Sequence, residues 1–159
     1  MPDSALMELT LNSGSFTHEG AIPARHTCDG PDVSPALHWS QPPEGTKGFA
    51  LICDDPDAPV GTWVHWVIFN LPATARSLLE GVPKDRELPD GSRQGKNDFG
   101  RIGYGGPCPP KGPAHRYYFK LYALDSRLTA LAGATKKDVE QAMQGRVLAQ
   151  GLLMGRYGR

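Results

Sequence analysis

The chain has 159 residues, which is the length of one ordinary domain and enough to bury a hydrophobic core. Its 17 Lys and Arg balance its 17 Asp and Glu, and this zero formal net charge argues against nucleic acid or an anionic membrane surface as a partner. No stretch approaches the ~20 apolar residues of a membrane span. The N-terminus lacks the features of a signal peptide, so we expect a cytoplasmic protein.

The 19 glycines and 15 prolines are spread along the chain, with short apolar runs between them. This pattern predicts many turns that join short strands, rather than disorder. Because neither an internal repeat nor a linker is visible, we predict a single domain over residues 1–159.

The first half of the chain contains several short strand patterns. Met7–Leu11 alternates apolar and polar residues, as a half-buried strand does. A long loop-like region, 14–35, follows, and its prolines exclude a helix. Leu37–Trp39 and Gly48–Cys53 are predicted as the next two strands.

An acidic loop then leads into another strand. Asp54, Asp55 and Asp57 surround Pro56, and Pro59 follows. Closely spaced X-Pro bonds favour a stiff, extended loop, because each proline also restricts the residue before it. The run 63–69 after this loop is predicted to be a buried strand.

In the second half, residues 73–100 are mostly polar and are predicted to form surface turns. A glycine–proline loop, 103–110, precedes His115–Leu124, the clearest strand pattern in the chain. In that strand Tyr117, Phe119 and Leu121 are predicted to share one face.

One helix is predicted late in the chain. Thr135 is a plausible N-cap with Asp138 three residues on, and Val139, Ala142 and Met143 form an apolar stripe. Lys136 and Lys137 at its start are expected to be solvated. The run 152–154 is predicted as a final strand or a buried tail.

The three cysteines form no CxxC pair. Cys53 lies in an apolar run and is expected to be a buried free thiol. Cys28 and Cys108 lie in turn-rich segments, and the sequence leaves open whether they are close in space. A reducing compartment favours free thiols for both.

The residue types in these loops and strands suggest a small-molecule site. It joins Asp55, His65 and His115 with the glycine-rich turn at Gly106. A carboxylate raises the pKa of a neighbouring imidazole, so the pair can donate hydrogen bonds to an anion near neutral pH. Backbone N–H groups of the turn can add donors. Trp63 and Tyr117 are the candidate apolar walls.

Other interpretations compete with this one. Asp-Pro-Asp is a common turn former, and a histidine in an apolar strand is usually a hydrogen-bonded core residue. Arg25 and Arg116 either pair with an anion or cover the surface. An enzyme that uses Asp55 and His65 as an acid–base pair, such as a hydrolase or isomerase, is the alternative function.

Familiar signatures for other chemistry do not occur. The five histidines never show HxxxH or HxH spacing, so no metal is predicted. The chain contains no GxSxG nucleophile motif, no phosphate-binding P-loop and no dinucleotide fingerprint. We therefore predict no cofactor.

Several long motifs resemble the phosphatidylethanolamine-binding protein family, which includes the Raf kinase inhibitor proteins. They are DPDAP at 55–59, GTWVHWVIFN at 61–70 and YGGPCPPKGPAHRYYFKLYALD at 104–125. The segment IPARHTCDGPDVSPALHW at 22–39 further resembles the bacterial and archaeal branch of this family. The resemblance runs from about residue 7 to 157.

The resemblance implies a mainly β fold with a large central antiparallel sheet, a smaller second sheet and short helices. It also implies a small surface cavity that binds anions such as phosphate or a phosphoethanolamine head group. Pro59 would follow a cis peptide at its rim, and the glycine–proline loop would close one side. The lining residues implied are Asp55, Pro59, Trp63, His65, Gly106, Pro107, His115 and Tyr117.

The family further implies a non-enzymatic protein that regulates a partner such as a kinase. Raf inhibition is not carried over, because a shared fold does not fix function. Animal members carry a C-terminal helix that partly covers the cavity, and the tail here is too short for one, so we expect a more open cavity. Bacterial relatives tend to be dimers, so a homodimer is expected.

Overall fold

A computed structural model describes residues 7–159, and most of the regular structure in them is β-strand. A 3-10 turn, Ala24–His26, and one helix, α1 (Lys136–Met143), accompany the strands. The strands are β1 (Met7–Glu8), β2 (Leu11–Asn12), β3 (Leu37–Trp39), β4 (Gly48–Asp55), β5 (Trp63–Pro72), β6 (Ser77–Leu78), β7 (Arg93–Gln94), β8 (His115–Leu124) and β9 (Val147–Tyr157).

The strands form a large and a small sheet. The large sheet has six strands in the order β1-β9-β8-β4-β5-β7, and the small one has the order β2-β3-β6. The large sheet is mixed rather than wholly antiparallel as expected, because β1 runs parallel to β9. Its long central strands are antiparallel to one another.

Strand β4 lies in the middle of the large sheet, and all eight of its residues are buried. Phe49, Leu51 and Cys53 face one hydrophobic cluster, whereas Ala50 and Ile52 face another. A strand with apolar neighbours on both faces reads as a continuous apolar run, which is why 48–53 shows no alternation. This prediction was confirmed, and the strand extends further, to Asp55.

Strand β8 has the predicted bounds and the predicted buried face, formed by Tyr117, Phe119 and Leu121. On the opposite side of the sheet, α1 buries Val139 and Met143 in the second cluster. The Thr135 side chain accepts from Asp138 N, and the Asp138 carboxylate accepts from Thr135 N. The predicted cap is therefore a complete capping box.

The prediction of one strand over Met7–Leu11 is wrong. Met7 and Glu8 pair with β9 at the edge of the large sheet, and Leu11 pairs with Trp39 in the small sheet. Leu9, between them, is buried. The alternating pattern is real, but the chain passes from one sheet to the other within it.

The polar region 73–100 contains two strands that the sequence did not predict. Both are two residues long, and β6 pairs with β3 while β7 pairs with β5 at sheet edges. Strands this short carry no detectable period. The run 152–154, left open between a strand and a tail, lies in β9.

Cys28 and Cys108 form a disulfide, which corrects the expectation of free thiols. They are 80 positions apart, and the fold brings their Cα atoms to 5.4 Å. Cys53 is free and buried, as predicted. No helix in residues 7–159 is long and apolar enough to cross a membrane.

Candidate functional site

Three central strands place the candidate residues at one end of the large sheet. β4 ends at Asp55, and its antiparallel neighbours β5 and β8 begin there, at Trp63 and His115. Asp55 and Trp63 are register partners. The start of an antiparallel strand always lies beside the end of its neighbour, so residues about 60 positions apart meet.

Each acid of the loop has its own cationic or imidazole partner. Asp54, which is 1% exposed, accepts from the amines of Lys120 (3.2 Å) and Lys136 (2.8 Å). Asp57 pairs with Arg116. The expectation that Lys136 is solvated is therefore wrong, because α1 places its amine against the buried Asp54 carboxylate of β4.

The Asp57–Arg116 pair fastens the acidic loop to the start of β8. The Arg116 guanidinium donates from Nε and Nη2 to the two carboxylate oxygens, and its backbone N–H donates as well. These hydrogen bonds lower the pKa of Asp57 to about 2. Since the Arg116 guanidinium is paired with Asp57, it is not available to bind an anionic ligand.

Asp55 holds His115. The Asp55 carboxylate is 3% exposed, and its Oδ2 accepts from His115 Nδ1 at 2.7 Å. Its Oδ1 accepts from the backbone N–H of Asp57 at 2.7 Å, so both oxygens are used. A carboxylate on Nδ1 fixes the ring orientation and tautomer, and it leaves only Nε2 of His115 available to a ligand.

His65 has a different environment from the one expected. Its Nδ1 donates to the carbonyl of Gly105 at 2.6 Å, and it is His115 that pairs with Asp55. Burial lowers the pKa of His65, although the hydrogen bond to Gly105 partly opposes that effect. A lowered pKa favours the neutral imidazole at neutral pH, so His65 is a poor source of positive charge.

Aromatic rings surround both histidines. Tyr117 lies edge-on to His65, with ring centres 5.2 Å apart, and stacks on His115 at 6.5 Å. Phe99 packs edge-on against His65 and Trp63. The Tyr117 hydroxyl makes no hydrogen bond to another residue of the described chain, and burial raises the pKa of this group.

These residues line a cavity of about 220 Å³, which we call the histidine cavity. Six of the eight predicted residues line it, namely Asp55, Pro59, Trp63, His65, His115 and Tyr117. The other lining residues were not predicted, and they are Ala58, Val60, Phe99, Cys108, Pro109 and Pro110.

Gly106 and Pro107 do not line the histidine cavity. Gly106 N donates to Asp32 Oδ1 at 2.8 Å, and the Pro107 carbonyl accepts from Cys28 N. The side of the cavity assigned to them is formed by the next residues of the loop, Cys108–Pro110. Pro59 lies on the rim as expected, but no peptide bond in residues 7–159 is cis, so the expectation of a cis peptide before it is wrong.

Among the lining residues that the sequence did not predict, Phe99 matters most, because its ring packs against His65 and Trp63. It is 41% exposed and stands as a lone aromatic among the polar turn residues 95–101. Single apolar side chains are common on protein surfaces, so the sequence carried no specific signal for Phe99. Val60, 79% exposed, adds a second apolar side chain to the cavity mouth.

No metal site is visible in the part of the chain that the structure describes. Residues 7–159 contain no group of three or more His, Cys, Asp or Glu side chains placed to hold a metal ion. What the histidine cavity offers instead is one carboxylate-oriented imidazole, one neutral imidazole and a phenol beside apolar walls.

The chain is similar to a known protein family. The family model described as phosphatidylethanolamine-binding protein matches residues 12–158. A UPF0098 protein of Methanothermobacter thermautotrophicus is 53% identical over 151 residues, which cover 95% of this chain and 99% of that protein. A UPF0098 protein of Aquifex aeolicus is 52% identical over 98% of this chain and 90% of its own length.

Two crystal structures have a similar fold. Escherichia coli YbcL, described as a new member of the mammalian PEBP family, has a TM-score of 0.88 and 35% identity, and 96% of this chain and 99% of that one are covered. A homolog of phosphatidylethanolamine-binding protein from Chlamydia trachomatis has a TM-score of 0.87 and 38% identity over 96% and 98% of the two chains.

Proposed function

Because the chain belongs to the phosphatidylethanolamine-binding protein family, we propose that it binds small anions or phosphate-bearing ligands in the histidine cavity, without catalysing a reaction. The observation that carries the proposal is the Asp55–His115 pair. When His115 is protonated, Nδ1 serves Asp55 and Nε2–H is the donor for an anion. The charge-assisted hydrogen bond that results is about twice as strong as a neutral one.

His65 and Tyr117 complete the proposed polar set. The neutral His65 Nε2 is an acceptor, which suits the hydroxyl of a singly protonated phosphate. The Tyr117 hydroxyl can donate to another phosphate oxygen. In this arrangement His115, which pairs with Asp55, provides the imidazole N–H donor, and His65 provides an acceptor.

Cavity size favours a head group over a larger molecule. The volume of about 220 Å³ is below the ~300–1,000 Å³ of most ligand pockets. It suits phosphate or phosphoethanolamine, whereas acyl chains have no room. Val60 and Phe99 at the mouth would contact an apolar continuation of the ligand.

The enzyme alternative depends on the same Asp–His pair. A carboxylate-oriented histidine can act as the general base of a Ser, Thr or Cys nucleophile. Among the lining residues, Cys108 alone has such a side chain, and its sulfur is held in the disulfide. This argues against a Ser-, Thr- or Cys-type mechanism, and a hydrolase or isomerase that uses the Asp–His pair as acid and base remains the alternative.

The remaining parts of the proposal follow family analogy. We propose that ligand binding regulates a protein partner such as a kinase, or that the ligand is a phosphorylated group on that partner. A cytoplasmic location and a homodimer belong to the same proposal.

An NMR titration with phosphate and phosphoethanolamine tests the binding function. We expect shift changes at Asp55, Trp63, His115 and Tyr117 in the wild type. His115→Gln removes the charged donor, and we expect it to weaken binding at least tenfold. His38→Gln is the matched control, because His38 is an exposed histidine of the small sheet and should leave the affinity unchanged.

Scattered shifts, or equal affinities in the wild type and His115→Gln, would contradict an anion site in this cavity. Hydrolysis of p-nitrophenyl phosphate that is lost in His115→Gln would instead favour the enzyme.

A further inference from the structure

The Cys28–Cys108 disulfide lies between two cavities. Cys108 lines the histidine cavity and also a second cavity of about 490 Å³, which Cys28, Asp32, Tyr104 and Gly106 help to form. Both half-cystines are solvent-exposed. The disulfide is therefore a wall of the proposed anion site and is open to a reagent from solution.

Few hydrogen bonds hold the segment Pro107–Gly112, which we call the proline wall, although Pro107 and Pro109 in it are buried. Its prolines at 107, 109 and 110 have no N–H to donate. Its backbone hydrogen bonds to the rest of the described chain are those of Pro107 O with Cys28 N, Pro109 O with Arg159 Nε, and Gly112 N with Arg159 O. Without the disulfide, three hydrogen bonds and the packing of Pro107 and Pro109 would hold this side of the cavity.

A cation lies beside one of the two sulfurs. Arg159 Nη1 is 3.8 Å from Cys28 Sγ, and it is held there by Asp29 Oδ1 at 2.8 Å. Tyr157 donates a further hydrogen bond to Asp29. A guanidinium beside a sulfur stabilises the thiolate, so Cys28 is the better leaving group of the pair.

The third cysteine does not compete in exchange. Cys53 is 1% exposed in the middle of β4, and burial raises its thiol pKa. Low exposure and a high pKa both make a thiol unreactive. Reduction would thus open one disulfide without scrambling it.

We propose that Cys28–Cys108 is a thiol–disulfide exchange site, and that its reduction by a dithiol releases the proline wall and weakens binding in the histidine cavity. The effect on affinity rests on the proposed function, whereas release of the wall does not. In a compartment with a reducing thiol pool this bond would act as a regulator of the cavity.

A thiolate of the dithiol attacks Cys108 Sγ, a mixed disulfide forms there, and the Cys28–Cys108 bond breaks with Cys28 leaving as the thiolate. The second thiol of the reagent, deprotonated, attacks the reagent sulfur of the mixed disulfide, and Cys108 leaves. Two protein thiols and one oxidised reagent result, with two electrons and two protons transferred to the protein.

The test compares the oxidised and the reduced native protein. After dithiothreitol treatment without denaturant, alkylation should modify two cysteines per chain, with Cys53 protected until the protein is unfolded. Backbone NMR signals of Cys108, Lys111 and Gly112 should shift. If the freed wall adopts the binding conformation about a tenth of the time, the apparent Kd for phosphate should rise about tenfold.

Two variants test the proposal without the use of dithiothreitol. The double variant Cys28→Ser, Cys108→Ser should match the reduced protein in affinity and in wall signals. Lys111→Gln is the matched control, since it changes an exposed residue of the wall but keeps the disulfide, and it should behave as the oxidised wild type.

Three results would overturn the proposal. They are a disulfide that resists dithiothreitol in the folded protein, wall signals unchanged on reduction, or a phosphate Kd within twofold in both states. An oxidised protein that binds no phosphate would contradict the proposed function instead. The alkylation and the wall signals would still decide whether the exchange site exists.

Discussion

At the scale of single residues, the two histidines of the cavity have different hydrogen-bond partners. His115 has a carboxylate on Nδ1, and His65 has a backbone carbonyl there. A carboxylate can stabilise an imidazolium by a full charge, whereas a carbonyl offers only a dipole against the desolvation of a buried ring. The Nδ1 atom of one ring is therefore held by a carboxylate and that of the other by a backbone carbonyl, which leaves Nε2 of each ring free of these partners.

The lowered pKa of His65 predicts a pH dependence of stability. The unfolded chain binds a proton at about pH 6.5 and the folded chain only at lower pH, so the unfolded state gains protons first. The contribution to stability is present above about pH 6.5 and is lost as the pH falls below it. The free energy of unfolding of His65→Gln should therefore fall less between pH 7 and 5 than that of the wild type.

Urea unfolding across this pH range measures the effect, and imidazole NMR signals give the pKa of His65 directly. His38→Gln, at an exposed position, should leave the wild-type pH slope intact. If His65 titrates at or above the value of a free histidine, its burial does not control its charge and the neutral-acceptor role fails.

At the scale of elements, the acidic loop is held to β8 by side chains as well as by the sheet. Asp57 accepts two guanidinium hydrogen bonds and one backbone hydrogen bond from Arg116. Asp57 N in turn donates to Asp55, which orients His115. The Asp57–Arg116 ion pair thus supports the hydrogen bonds from Asp57 to Asp55 and from His115 to Asp55, which orient the imidazole in the cavity.

Arg116→Gln should destabilise the protein only slightly at pH 7, as is usual for the loss of an exposed ion pair. A depressed carboxyl pKa gives stability that is present above the unfolded value, 3.8, and is lost as the pH falls toward about 2. The difference between variant and wild type should shrink across that window. Urea unfolding at pH 7 and at several pH values from 4 to 2 measures it.

Arg101→Gln is the control, because the Arg101 side chain makes no hydrogen bond or ion pair within residues 7–159. A difference between Arg116→Gln and wild type that stays constant down to pH 2 would show that the ion pair is not its source.

At the scale of the whole molecule, the histidine cavity exists only where distant segments meet. β4 and the acidic loop supply Asp55 and Pro59, the segment before β8 supplies Cys108–Pro110, and Phe99 comes from a turn between them. Unfolding separates these segments and abolishes the cavity. A ligand of the cavity must therefore stabilise the folded chain by mass action.

Phosphate at about 100 times its Kd should raise the free energy of unfolding by about 2.7 kcal/mol, which is roughly 5–10 °C in Tm for a domain of this size. Thermal unfolding at increasing phosphate, with chloride at matched ionic strength as the control, measures this shift. In His115→Gln, binding that is tenfold weaker should reduce the gain at the same concentrations to about half, roughly 1.4 kcal/mol. An equal shift in both proteins would indicate non-specific salt stabilisation.

Local patterns in the sequence were sufficient to predict many of the strands and the helix. The apolar run of β4, the alternation of β8 and the cap of α1 each express a local physical preference, and their predicted elements are found in the fold. The motifs also identified the family correctly. Six of the eight site residues predicted from the resemblance lie around one cavity, because they stand at the ends of neighbouring antiparallel strands.

Tertiary structure alone decided how these residues are paired. Whether Asp55 contacts His65 or His115, whether Lys136 reaches Asp54, and whether Cys28 meets Cys108 depend on strand register and on loops packed across the sheet. Sequence spacing carries no information on such contacts between residues 60 to 82 positions apart. The residue types determined which chemistry the chain can perform, and the packing of its segments decided which atoms perform it.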